Sequence, residues 1–575
     1  MVGIVPTVTT SIAQRIAYPE PVGDLFVQQF PEYPRVFLQI MHNRGLETQE
    51  AIDAFLNPEY SQLHDPYLFQ DMHTAVDRIY QAIEKKELIA IHGDYDADGV
   101  SGAAILQQGL QALGAATTIF LPHREKDGYG MNVKTVDYLH GLGVKLIITC
   151  DCGISNTVEI AAAKEKGIDT IITDHHQVPA VLPPAIAIIH PKRSGETYPF
   201  NYLAGGGVAF KLVQGLIRDA RSGMTEQQIE SFEKWLLDLV AIATVGDMVE
   251  LIGENRVLVK YGLLVLAKNR RKGLQQMFAL ASIDPAKITT ETIGFQIAPR
   301  INAAGRMDHA NAAYLLMVAA TDGEAEQLTK TLEGNNRDRQ KVTEQVFREA
   351  RSQAVGNTDP FLFLYHPTWP IGLFGLVAGK VSKEFGKPVF LGGNDGTKVV
   401  ASGRSPAGVD IMAAVNECKD LLISFGGHTQ ACGIRFLEEN FDTVRARLLE
   451  HFKSTGTTVQ LEIRADAPLS FKDITWELVA LVERLAPFGQ ANREPLFVSR
   501  GVTIVSSRAV GKNGQHYKLV LAHDGRTLPA IAFSMPAVPS LAAAPVDLVY
   551  SIAINEWNGN RELQLTVEHI QSAHG

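Results

Sequence analysis

The chain has 575 residues, 46% of them hydrophobic and 20% charged, with a mean hydropathy near zero and a formal net charge of −10 at pH 7. That length exceeds a single core and implies three or four domains, while no apolar run reaches the ~18 residues that span a bilayer. The acidic balance argues against a protein that coats nucleic acid through a global positive field, yet leaves room for a local basic lining.

Met1 to Arg15 lacks a basic stretch followed by an apolar one, so no signal peptide is expected. Residues 1 to about 50 read as a short helical preface ending in the Pro-containing segment Asn57-Pro58 to Asp65-Pro66. From about 85 to 195, apolar runs at 88–92, 117–121, 145–150, 170–173 and 185–189 alternate with helical stretches at 101–113, 132–141 and 156–166. This is the rhythm of a doubly wound parallel sheet, and Gly114, Gly143 and Gly167 stand where its helices should stop. A helical region follows from about 205 to 350, in which 322–354 is charged, free of proline and predicts one long exposed helix acting as a strut. Pro299 and Gly305 punctuate the segment from Ile297 to Arg306, which is therefore not expected to be a simple helix face. A second α/β unit spans about 355 to 455, with strands at 361–365 and 388–391. From about 457 the texture changes to short alternating strands at 458–463, 501–506, 516–522, 528–534, 546–553 and 562–568, with Asn513-Gly514, Asp524-Gly525 and Asn558-Gly559 as turns. A small β-barrel of the OB type is expected there.

Four clusters carry the chemistry: Gly93-Asp94-Tyr95-Asp96-Ala97-Asp98-Gly99, Cys150-Asp151-Cys152-Gly153, Thr173-Asp174-His175-His176 and Val245-Gly246-Asp247-Met248. The first three follow directly on buried-strand runs, where ligands of parallel sheets bind. A lone aspartate after a strand is most often a helix cap, but repetition at equivalent positions points to a shared site. Asp96, Asp98, Asp151, His175, His176 and Asp247, with His92 four residues before Asp96, offer more oxygen and nitrogen donors than one ion needs. Mixed carboxylate and imidazole ligation suits two Mn²⁺ or Mg²⁺ ions and the hydrolysis of a phosphodiester. The four cysteines make neither a disulfide framework nor a zinc finger; Cys150 and Cys152 read as strand-end packing, and the cytoplasm is the expected compartment. Arg124 closes the second strand, Arg300 and Arg306 flank Asn302, Ser402 and Arg404 share a side of an extended chain, and Gly426-Gly427-His428 offers close backbone approach plus an imidazole. Singly each is an ordinary surface group; beside a metal site they form a candidate phosphate track.

Asp96-x-Asp98, Asp151, Asp174-His175-His176 and Asp247 resemble the four motifs of the DHH phosphoesterase superfamily, and Phe425-Gly426-Gly427-His428 to Gly433 resembles the signature of the associated DHHA1 domain. Gly93 to Ser101, Leu203-Ala204-Gly205-Gly206-Gly207-Val208-Ala209, Ala298 to Met307 and Leu485-Ala486-Pro487-Phe488-Gly489 narrow the likeness to the superfamily's exonucleases that digest single-stranded DNA from the 5′ end. The resemblance implies an N-terminal preface at 1–50, a DHH catalytic domain at 51–265, a helical connector at 266–354, a DHHA1 domain at 355–455 and an OB-fold at 456–575. It also implies that Asp96, Asp98, Asp151, His175 and Asp247 bind the catalytic ions, with His92, Asp94 and His176 ligating or supporting them. Arg124, Ser402 and Arg404 would hold the DNA 5′ end, and Arg306 and His428 the phosphates near the scissile bond. A monomer acting on single strands in recombination and repair, supplied by a helicase and a single-strand-binding protein, is implied. Phe488, Phe497, Tyr517 and Trp557 are candidate base stackers in the barrel, with buried core the more usual place for each. The segment from Tyr365 to Gly372 departs locally from the expected pattern. An oligonucleotide or cyclic-dinucleotide phosphodiesterase, an inactive helicase-associated scaffold and a family II pyrophosphatase stand as the alternatives.

Overall fold

The computed structural model describes residues 15–123, 128, 130–455, 462–511, 514–535, 545–557 and 559–573. They fall into two compact units, Leu63–Val249 with Tyr261–Val459, and Met1–Gln62 with Glu250–Lys260 and Gln460–Gly575.

The first of these units begins with a five-stranded parallel sheet of β1 (Leu88–Gly93), β2 (Thr117–Phe120), β3 (Val144–Cys150), β4 (Asp169–Thr173) and β5 (Ala187–Ile189) in the order β2-β1-β3-β4-β5. Ile89, Ile91, Ile147, Ile148, Ile171 and Ile172 are fully covered, as strands with helices on both faces require. Helices Ala97–Ala112, Val133–Gly141 and Thr157–Glu165 are the crossovers, and Gly114, Gly143 and Gly167 after them adopt left-handed backbone. The winding reverses between β1 and β3, so the crevice beyond their carboxyl ends is the topological switch point. Helices Gly205–Arg218 and Glu226–Gly246 bring two more ends to it.

Two expectations for the helical region are corrected. Ala298–Met307 is a helix after all, entered through a π-helical turn at Ile293–Ile297. Pro299 is tolerated because it directly follows the π-helical turn, where Ala298 N–H bonds Ile293 O in the wider register and the i→i−4 ladder is already interrupted. Asp322–Ala354 is one helix, but not an exposed strut: Ala325, Leu332, Val346, Ala350 and Ala354 make a buried stripe along it.

The same unit holds a second sheet, β6 (Leu362–Tyr365), β7 (Val389–Asp395), β8 (Lys398–Arg404), β9 (Leu422–His428) and β10 (Ala431–Leu437), in the order β9-β10-β8-β7-β6 with only β6 and β7 parallel. In the other unit, β11 (Phe497–Val510), β12 (His516–His523), β13 (Arg526–Ala532), β14 (Val546–Trp557) and β15 (Asn560–Ser572) close into a five-stranded barrel through the β11–β14 pairing. Its core continues into the N-terminal helices: Phe37, Met41, Ile52 and Leu56 pack in one cluster with Leu478, Val482, Val502 and Tyr550. Parallel pairing of Arg15–Ala17 with Glu462–Arg464 ties the ends of the chain together within that unit. The turn at Asn513 and the strand start at 458–461 lie outside the described residues.

Candidate metal centre

Each strand of the first sheet that the sequence marked delivers its cluster to the switch point. β1 ends at Gly93, and Asp96 caps the following helix, its Oδ1 accepting from the N–H groups of Asp98 (3.0 Å) and Gly99 (3.2 Å). The capping reading is therefore correct for Asp96, and compatible with ligation because a carboxylate has lone pairs to spare. Gly99 is obligatory: a Cβ there would meet the Asp94 backbone at 2.5 Å. Asp98, in the first turn of that helix, accepts from Gly205 N (2.7 Å, Oδ2) and Gly206 N (2.6 Å, Oδ1), the first amides of the Gly205–Arg218 helix. An anion at a helix N-terminus is favoured by the exposed amides and the dipole.

β3 ends in Asp151, held at a left-handed φ of 61° with its N–H on Thr173 O at 3.0 Å. β4 ends in Asp174-His175-His176. Asp174 accepts from the N–H groups of Ile154 (2.9 Å), His175 (2.7 Å) and His176 (3.1 Å), and pairs with His176 Nδ1 at 2.8 Å. Asp247 terminates the Glu226–Gly246 helix. His175 Nε2 then lies 3.2 Å from Asp151 Oδ1, 3.5 Å from Asp247 Oδ2 and 3.8 Å from Asp98 Oδ2. Three donor groups overlap here, Asp151-His175-His176, Asp98-His175-Asp247 and Asp94-Asp96-Asp151, each with ligand atoms within 4.8 Å of one another.

Charge explains why such a place suits cations. Burial, then the neighbouring Asp96, push Asp98 up to about 7. Burial and the other aspartates, Asp98 foremost, hold Asp151 well above the carboxylate range, and Asp247 likewise. Burial pulls His175 down to about 3, leaving a neutral imidazole whose Nδ1 and Nε2 take no hydrogen bond although both are buried. His176 behaves oppositely: burial lowers it, but the bond to Asp174 wins and raises it to about 9. Buried nitrogens without hydrogen-bond partners beside carboxylates whose negative charge the fold leaves under-compensated form a donor set that fits hard divalent ions. The set contains no thiolate: burial raises Cys150 and Cys152 well above the usual thiol value.

The structure brings together seven of the eight sequence-predicted ligands. His92 stands outside the three groups, its Nδ1 3.6 Å from Cys152 Sγ and its ring stacked on Phe120. Asn302 and Arg300 are also committed within the fold. Asn302 Oδ1 accepts from Ala97 N at 2.7 Å, fixing the Asp94–Asp98 loop, and Arg300 pairs with Glu333 at 2.8 Å. Arg306 donates to Gly372 O at 2.7 Å, and Arg404 packs against Gly375, so two guanidiniums reach the start of the Phe374–Phe385 helix. The atypical 365–372 segment is what makes this turn, anchored by Trp369 Nε1 on Glu349 at 2.7 Å. In the second sheet Arg404, Ala431 and His428 form one cross-strand row, and Ser402, Gly433 and Gly426 the next, so glycines leave the face beside Ser402 open. Gly427 has no room for a side chain: a Cβ would meet Ala431 O at 2.2 Å. Arg124 lies outside the described residues. In the barrel, Phe497 is core and Phe488 and Tyr517 pack against it; the Trp557 side chain lies outside the described residues.

Sequence reasoning passed over four supports. Asp174 orients both histidines; His190, just past β5, meets the His176 carbonyl at 2.9 Å; Lys192 donates to the His175 carbonyl at 2.6 Å; Gly205 and Gly206 hold Asp98. Asp174 was visible as part of its cluster though not in this orienting role, and the Gly205-Gly206-Gly207 run carried the signal of a helix start needing close approach; His190 and Lys192 carried none.

A doubly wound sheet with acid and imidazole donors gathered at its switch point defines the DHH class of metal-dependent phosphoesterases. Accordingly, residues 88–244 match the DHH family N-terminal domain, 358–454 the DHHA1 domain and 465–569 the RecJ OB domain. Single-stranded-DNA-specific exonuclease RecJ of Bacillus subtilis is 35% identical over 92% of this chain and 67% of that one, and its Escherichia coli counterpart 32% identical over 94% and 96%. The crystal structure of RecJ with Mn²⁺ from Thermus thermophilus superposes with a TM-score of 0.82 at 27% identity, over 98% of this chain and 80% of that one, and a Mg²⁺ complex of it with 0.77. The chain belongs to the RecJ family.

Proposed function

We propose that this chain is a single-stranded-DNA-specific 5′→3′ exonuclease that releases 5′-mononucleotides by two-metal phosphodiester hydrolysis, in recombination and repair. The observation that carries it is the cluster of seven donor residues at the switch point, the neutral, buried His175 among them. Asp96, Asp98, Asp151, His175 and Asp247 would hold two Mn²⁺ or Mg²⁺ ions, Asp94 and His176 would complete the set, and His92, whose ring meets Cys152, would support it. Bound there, such ions supply Lewis-acid stabilisation of phosphoryl charge and ease the ionisation of water. Arg306, His428, Ser402 and Arg404, with the open face at Gly426 and the close-packed backbone of Gly427, bind the phosphates and the 5′ end, joined by Arg124; Arg300 and Asn302 act by holding the fold around them.

The domains divide as 1–50, 51–265, 266–354, 355–455 and 456–575. The enzyme works as a cytoplasmic monomer on strands opened by a helicase and presented by a single-strand-binding protein. Among the described residues no helix is long and apolar enough to cross a membrane. With Mn²⁺, a 5′-labelled single strand is expected to yield mononucleotides at once, a 3′-labelled strand to shorten progressively, and duplex and dinucleotide to resist. Asp151→Ala is expected to abolish cleavage while retaining strand binding; full activity in that variant would overturn the assignment.

A further inference from the structure

Phe295 is the most exposed large apolar side chain among the described residues, at 80%. It sits in the π-helical turn Ile293–Ile297, whose Ile293 and Ile297 are fully buried, so the turn is anchored and presents Phe295 outward. π-helical turns concentrate at functional sites. This one packs on the end of the Glu226–Gly246 helix that delivers Asp247: a Cβ on Gly294 would touch Val245 Cγ1 at 3.9 Å, and one on Gly246 would touch Ala298 Cβ at 3.5 Å. The helix that follows holds the Asp94–Asp98 loop through Asn302. Met248, directly after Asp247, is also exposed, at 73%, and at a left-handed φ of 59°. Two apolar side chains thus leave the fold at one edge of a site otherwise lined with charge.

Adopting the single-strand reading above, we propose that Phe295, with Met248 on the same edge, is a stacking platform for a nucleobase of the strand whose phosphate lies at the metal centre. Every base offers a π-face, so an aromatic at this place grips a strand without regard to sequence, as a nuclease that digests strands of any sequence requires. The ligand is a nucleobase and not an apolar peptide because the surface continues into a phosphodiester site.

The test uses the full chain with Mn²⁺ and naked oligonucleotides. Phe295→Ala is expected to lower kcat/KM about 5- to 150-fold, the loss of one base–aromatic stack of ~1–3 kcal/mol at 1.36 kcal/mol per decade, while Phe295→Trp retains activity. A single abasic nucleotide stepped through the first positions of the strand is expected, at one position, to bring the wild type down to the alanine variant and leave that variant unchanged. The Mn²⁺-induced rise in melting temperature should be the same in both proteins. Equal losses at every abasic position, or undiminished activity of Phe295→Ala on naked strands, would overturn the platform, the latter assigning Phe295 to a protein contact. Failure of the wild type to cleave any single strand would instead sink the nuclease reading itself.

Discussion

Gly205→Ala is the sharpest test of how the centre is built. A Cβ at 205 would lie 2.5 Å from Asp151 Cβ, 2.7 Å from its Oδ1 and 2.8 Å from its Cα. Backbone is among the atoms struck, so the clash is not relieved by turning a side chain. Asp151 is fixed by its N–H bond to Thr173 O, and the helix start is fixed by Asp98, which both Gly205 and Gly206 grip. Overpacking of this kind costs ~1–3 kcal/mol, and loosening a hydrogen bond to a charged group costs ~1.5–3 kcal/mol more. A misplacement of ~1 Å at a reacting group lowers turnover by ~10²-fold. Calorimetric titration with Mn²⁺ should show at least a tenfold weaker affinity, and turnover on a single strand should fall by about two orders of magnitude, with strand binding in EDTA little changed. Gly207→Ala is the internal control: its Cβ would meet only Leu203, at 3.4 Å, an ordinary contact, and alanine favours the helix by up to ~1 kcal/mol. If the two alanine variants behave alike, the close approach of Asp151 to the helix start is not what organises the site.

Asn302→Ala removes the acceptor of Ala97 N and should lower kcat about tenfold through the loop that carries Asp96 and Asp98, at unchanged KM; a rise in KM alone would make Asn302 a DNA contact instead. The pH dependence follows from Asp98, raised to about 7 by burial and Asp96, with Asp151 and Asp247 raised in the same direction. The folded, metal-free protein keeps protons that the unfolded chain gives up near pH ~4, so these groups favour the fold below that pH, and their contribution is lost as pH rises through about 7. Cations must displace the same protons, so Mn²⁺ affinity should climb over that interval. Melting temperatures should therefore fall with pH without metal and rise with pH when Mn²⁺ is present; a metal-free melting temperature that is flat between about pH 5 and 7.5 would show that the carboxylates are not desolvated.

The first sheet was legible because its signal is local. Buried parallel strands read as apolar runs, and a ligand at a strand end follows its run in sequence, as Asp151 follows Leu146 to Cys150. What lay beyond reading was contact between distant segments. Nothing near Asn302 announces that its carbonyl meets Ala97, or near Arg300 that Glu333 takes its charge. The helix at Ala298–Met307 was missed because proline was weighed as a breaker, with no sign in the sequence of the π-helical turn before it. β8, β9 and β10 were missed because Ser402, Arg404, Gly426 and Gly433 occupy the face where alternation would show polar residues against a core. The N-terminal helices share their core with the barrel through Phe37 and Leu56, residues more than 400 positions from Leu478 and Tyr550, a pairing that no window of sequence contains.

The aspartates of the centre differ in what compensates them, and the difference locates the cation. Asp174 takes three backbone N–H groups and His176, enough to overcome its burial and hold it at about 2. Asp98 takes two amides at a helix start and still rises to about 7. For Asp151 and Asp247 burial and mutual repulsion dominate, and both stand well above the carboxylate range. The electrostatic deficit is thus graded from the well-compensated Asp174 to the pair that faces His175 Nε2 at 3.2 and 3.5 Å. A positive charge is worth most where least else offsets the carboxylates. The lowered His175 cannot supply it by protonation, since burial has removed that option. Among the chain's own groups near this pair, His176 and Lys192 both pull Asp247 down yet leave it raised, their hydrogen bonds going to Asp174 and to the His175 carbonyl. The fold therefore rigidly positions its histidines with one set of charges and leaves the other set to be neutralised from solution, which is the division of labour a metal-dependent phosphoesterase needs.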